Sequence, residues 1–171
     1  MTATKTAQRT GRDLLGVYLN DHLAGSTLGT ALARRMAASA GHLPASGSVL
    51  KQLADDIADD RAALLEIMAT LGVQVRRYKV YAAWAGEKAG RLKPNGHLVS
   101  RSPLSSLEEV EILRLGVEGK RAGWRTLRML AEHDSRLDAS RLDELISRAA
   151  HQADLLEKLR VGAAEQIFAN A

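Results

Sequence analysis

Residues 48–72 read SVLKQLADDIADDRAALLEIMATLG. Leu50, Leu53, Ile57, Leu64, Ile67, Met68 and Leu71 fall close to a heptad pattern within it. A helix turns by about 100° per residue, so this spacing gathers them on one stripe. The stripe predicts an amphipathic helix with its apolar side buried. Asp60 occupies an inward slot of that stripe, and Arg61 stands at its margin. The helix is expected to begin near Ser48 and to stop at Gly72, a residue suited to the left-handed position after a helix end.

Three further segments carry the same period. The first covers residues 13–39, where Leu14, Val17, Tyr18, Leu28, Leu32 and Met36 share a face with Asp21 and Gly25 inside it. Gly41, Pro44, Ser46 and Gly47 mark the loop that follows. The third starts at two overlapping capping boxes, Ser105-x-x-Glu108 and Ser106-x-x-Glu109, and ends near His133. Its face is Val110, Leu113, Val117, Trp124, Leu127 and Leu130, with Glu109 and Lys120 within it. The fourth has Asp138 as N-cap and reaches Phe168. Its stripe is Leu142, Leu145, Ala149, Ala153, Leu156, Ala163 and Ile167, with Arg160 pointing inward and Gln152 at the edge. No segment alternates as a strand does. The links around the second and third segments differ in length. Residues 73–104 form a long crossover, holding a shorter helix at 76–89 and a turn at Pro94-Asn95-Gly96. The other two links are short. The expected fold is an all-α, antiparallel four-helix bundle over residues 13–171 with a partly helical crossover, preceded by a flexible basic tail at 1–12.

Composition limits the function classes. Apolar residues make up 46% and charged residues 26%, the balance of a folded domain rather than a disordered chain. There is no cysteine, which removes disulfides, thiolate metal sites and cysteine nucleophiles. Aromatics are only 4%, so Leu, Ile, Val, Ala and Met must build the core. No apolar run approaches the ~18–20 residues of a membrane helix. Asn20, Asp21 and His22 interrupt the first apolar segment, so no export signal is read and a cytoplasmic location is expected.

The polar residues on inner faces are the informative ones. Asp21, Asp60, Arg61, Lys120, Gln152 and Arg160 are expected to meet inside, because a buried charge needs a partner or a ligand. Gly25, Gly29, Gly116 and Gly119 are expected to let helices approach closely. Leu15, Leu19, Leu23 and Leu115 exceed what one inner face needs, which points to a homodimer.

In its four long helices, its long second connection and its inward carboxylates the chain resembles the ferritin-like superfamily. By that resemblance Asp21 and Asp60 stand where the first-helix and second-helix metal carboxylates are found. The Glu-x-x-His motifs of the di-metal members are missing, and Lys120 and Arg160 repel cations. The reading is therefore a non-catalytic interaction or stress-associated role, with an internal salt-bridge network and no cofactor. A first alternative is a degenerate carrier of a small ligand or of iron or manganese, using Asp21, His22 and Asp60. A second is non-specific nucleic-acid binding through Arg34-Arg35, Arg76-Arg77-Lys79 and Lys88-Arg91-Lys93, with Tyr78, Tyr81 and Trp84 interleaved. The net charge of +4 is mild for that role.

Overall fold

The computed structural model describes residues 11–39, 45–76 and 103–169. These form four α-helices, and no strand occurs among the described residues: α1 Gly11–Ala38, α2 Gly47–Thr70, α3 Pro103–Leu130 and α4 Ala139–Phe168. No described helix is long and apolar enough to cross a membrane. The tail expected at residues 1–10, the turn at 94–96 and nearly all of the helix expected at 76–89 lie outside the described residues. Gly11 and Arg12, assigned to the tail, are already helical, and Arg76 lies outside any helix.

Local chemistry fixes the helix ends. Ser46 caps α2 by accepting a hydrogen bond from the Val49 N–H. At the far end the Gly72 N–H donates to the Ala69 carbonyl at 3.0 Å and the Val73 N–H to the Met68 carbonyl at 2.8 Å. This is a Schellman closure, and it requires a residue with positive φ; Gly72 has φ 68°. Asp138 caps α4, accepting from the Arg141 N–H at 3.1 Å. The start of α3 differs from the expected capping boxes. The helix begins at Pro103, whose missing N–H and fixed φ suit a first turn, and Ser106 is buried inside it. Glu109 is committed elsewhere, to Arg35 of α1 at 3.1 Å.

Packing joins α1 to α2, α3 to α4 and α1 to α3. The core is aliphatic apart from Trp124. The stripes of α2, α3 and α4 are buried as their periods require, apart from Ile67, Leu130 and Ile167, which are half-buried near helix ends. Helix α1 corrects its expected face. Leu19 and Leu23 are fully buried and Leu15 packs against the core, whereas Leu14 is 53% exposed and Asp21 is exposed. Apolar residues spread over a wide arc of α1, and two neighbouring helices, α2 and α3, use that arc. Of the four leucines read as surplus surface, Leu19 and Leu23 are thus interior, Leu15 is half-buried against the core, and Leu115 stays outside.

Two polar clasps hold the ends together. Asn20, buried on α1, donates to the carbonyls of Gly16 (2.8 Å) and Gln74 (3.0 Å) and accepts from the Arg76 N–H at 2.6 Å. It therefore ties the segment after α2 back to α1. Arg136, in the link between α3 and α4, donates to the Leu71 carbonyl at 3.3 Å. It also grips Asp134, whose carboxyl it holds down to about 2. The Gly72→Ala variant should lose about 1–2 kcal/mol in urea denaturation, the cost of a Cβ in the left-handed region, with the m-value unchanged.

Candidate functional site

The site begins with one carboxylate. Asp60 lies between Ile57 and Leu64 on the buried stripe of α2 and is 1% exposed. Its Oδ2 accepts from Lys120 Nζ of α3 at 2.5 Å and from Gln152 Nε2 of α4 at 3.0 Å. Its Oδ1 accepts from Arg148 Nε at 2.8 Å and from Arg148 Nη2. Gln152 Oε1 closes a triangle by accepting from Lys120 Nζ at 2.5 Å. Three helices thus meet at one carboxyl group. Burial pushes the Lys120 ammonium below its ordinary range, Asp60 pushes it back up, and Arg148 adds a smaller downward push. Within the hydrogen-bonded set one carboxylate faces two cations, and Asp56 of α2 adds a further upward push on the Lys120 ammonium.

The structure brings Asp60, Lys120 and Gln152 together and sends the other candidates elsewhere. Arg160 turns along its own helix to Glu157 at 2.7 Å. Arg61 donates to Thr27 Oγ1 of α1 at 3.1 Å. Asp21 is exposed, because the buried arc of α1 centres on Leu19 and Leu23. The place given to an inward arginine belongs to Arg148. Its signal was present in the sequence: it precedes Gln152 by one turn and so shares its face. An arginine at a helix margin reaches inward by laying its methylenes over apolar neighbours.

Beside this cluster a crevice opens between α1 and α3, with a volume of about 850 Å³. Leu28, Leu32, Leu113, Val117 and Leu127 line it, while Asp60 and Lys120 bring the polar cluster to its surface. Its glycines do not have the expected role. Nothing lies within 4 Å of where a Cβ would sit on Gly25, Gly116 or Gly119, and at Gly29 the nearest atom is Leu113 Cδ1 at 4.0 Å. These residues do not admit a neighbouring helix; they leave room. The close approach occurs instead at Gly123, where a Cβ would meet His22 Cε1 at 3.0 Å. His22 stacks edge-on to Tyr18 with centroids 4.5 Å apart, and Tyr18 donates to Thr126 Oγ1 at 3.2 Å. Burial pushes the His22 imidazole below its ordinary value, against an upward push from Asp21. Trp124 also lines the crevice, and its buried indole Nε1 has no hydrogen-bond partner among the described residues.

The donor set does not fit iron or manganese. Asp21, His22 and Asp60 all border the crevice, yet both Asp60 oxygens already accept from cationic groups. No group of three or more His, Asp or Glu side chains among the described residues is placed to hold a metal ion. Of the basic clusters, Arg35 is engaged with Glu109, and 77–79 and 88–93 lie outside the described residues.

Removing one partner of a buried charge cluster leaves the others uncompensated. Asp60→Asn should therefore cost about 3–5 kcal/mol in chemical denaturation. The triple change Asp60→Leu, Lys120→Met, Arg148→Met should recover most of that loss. Comparison of the chain with protein-family models, with curated proteins and with solved structures finds no match.

Proposed function

We propose that this chain is a non-catalytic, ferritin-like, antiparallel four-helix bundle that binds an apolar small molecule in the crevice between α1 and α3. The order of the interhelical contacts supports the antiparallel arrangement. Between α1 and α3, Tyr18 meets Thr126 while Arg35 meets Glu109. Between α3 and α4, Arg114 meets Glu157, Lys120 meets Gln152 and Arg128 meets Asp143. Residue 27 of α1 pairs with residue 61 of α2, and residue 20 with residue 74 just beyond the end of α2. In each pair of helices one number rises as the other falls. Residues 76 and 103 therefore lie at opposite ends of the bundle, as the ferritin-like arrangement requires.

The observation that carries the binding role is the open glycine wall. A glycine inside a helix costs about 1 kcal/mol relative to alanine. Gly25, Gly116 and Gly119 incur that cost with no neighbour that a Cβ would strike. Stability gives no reason to keep them, whereas an apolar crevice of ligand size does. A second reading, self-association, rests on Leu104, Ile112, Leu115 and Met129, all exposed on α3. It predicts a dimer in sedimentation velocity that Leu115→Glu returns to monomer.

The binding role is tested with Nile red, a neutral apolar dye. Saturable binding at one dye per chain is expected, with a blue-shifted emission. Gly116→Leu should weaken it at least tenfold while raising the melting temperature, because it fills the crevice and improves helix propensity. Dye binding that is unsaturable, or unchanged in both Gly116→Leu and Gly25→Leu, would overturn the role.

A further inference from the structure

We propose that the crevice between α1 and α3 selects amphipathic monocarboxylates with an extended apolar tail, and that Lys120 receives the carboxylate. The inference rests on the binding role proposed above and names the ligand class.

Shape sets the tail. The crevice is bordered from Tyr18 to Arg35 on α1 and from Glu109 to Leu127 on α3. At about 1.5 Å per residue, either span is on the order of 25 Å long. A volume of about 850 Å³ drawn out over that length suits an extended chain more than a compact ring system. Leu28, Leu32, Leu113 and Val117 supply aliphatic walls.

Charge sets the head. Asp60 offers one negative charge to two cations, Lys120 and Arg148. Arg148 borders a separate pocket between α2 and α4, together with Asp56 and Glu144, so Lys120 is the cation of this cluster that borders the α1–α3 crevice. An ammonium has three N–H donors. Asp60 Oδ2 and Gln152 Oε1 take two of them, and no acceptor for the third occurs among the described residues. The Trp124 indole N–H also has no partner among the described residues, but it is buried rather than open to the crevice. Lys120 and Trp124 are one turn apart on α3, and both border the crevice. A carboxylate has two acceptor oxygens and one negative charge. It therefore accepts the third Lys120 N–H and sets a negative charge beside the ammonium. An alcohol matches donors but not charge, and an amine matches neither.

The test compares dodecanoate, dodecanol and dodecylamine as displacers of Nile red from the intact protein. Dodecanoate should bind at least tenfold more tightly than dodecanol, a difference of about 1.4 kcal/mol, and dodecylamine should bind weakest. In Lys120→Met, where Arg148 still neutralises Asp60, the preference should shrink to about twofold with dodecanol affinity retained. Should that variant fail to fold, wild-type protein gives the same answer through salt: added NaCl erodes the dodecanoate advantage and leaves dodecanol affinity unchanged. Equal affinity for acid and alcohol overturns the headgroup assignment while leaving the binding role intact. So does a preference that survives both Lys120→Met and salt. Failure of Nile red itself to bind overturns the binding role.

Discussion

A carboxylate removed from water at the centre of a helical core governs this structure. Asp60 is almost wholly buried, and desolvating an unpaired carboxylate costs several kcal/mol or more. The cost is met only if Lys120, Arg148 and Gln152 arrive together, from two other helices, at hydrogen-bond distance. That requirement restricts how α2, α3 and α4 slide past one another. Leucine stripes alone do not impose such a limit, because aliphatic side chains repack over a shift of one turn at modest cost. A directional group with four donors around it does not. The ion cluster therefore contributes less to net stability than its short distances suggest, and more to register.

Helix α1 is held by different means. None of its residues bonds to Asp60. Ser26, Thr27 and Thr30 return their hydroxyls to carbonyls of their own helix, so these half-buried polar groups need little from their neighbours. Asn20 and the Arg35–Glu109 pair fasten its two ends. Between those fastenings the α1–α3 boundary is thinned by Gly25, Gly29, Gly116 and Gly119. A helix anchored near both ends and stripped of side chains along its middle leaves a long opening rather than a packed seam. The polar cluster then lies along the opening and keeps one cation at its edge.

The sequence reveals the parts of this arrangement that depend on period and local chemistry. The α2 stripe, the Asp138 cap and the role of Gly72 follow from spacing and backbone conformation, and the structure has all of them. Asp60, Lys120 and Gln152 were visible as polar interruptions of apolar faces. Other features depend on which neighbour each face meets. Helix α1 carries apolar residues around much of its circumference, so its wheel has no single phase. Leu14 and Leu19 look equivalent in sequence, yet one is exposed and the other buried. Arg148 sits at a margin from which a long side chain reaches either way. A helix glycine is ambiguous in the same manner: Gly123 faces the His22 ring, while Gly116 and Gly119 face open space.

The two features that local rules leave unexplained lie at the same place. One is a set of helix glycines without a steric reason, and the other is a largely buried ammonium with one N–H left unbonded among the described residues. A protein selected for stability alone would fill the first with alanine or leucine and satisfy the second. Each becomes intelligible once an apolar chain lies against the glycines and its carboxylate faces Lys120. A ligand bound there would add apolar contact along α1 and α3 and supply an acceptor for Lys120. Such a ligand binds only the folded chain, so it stabilises the fold in proportion to the logarithm of its concentration. The α1–α3 seam would then be completed from outside.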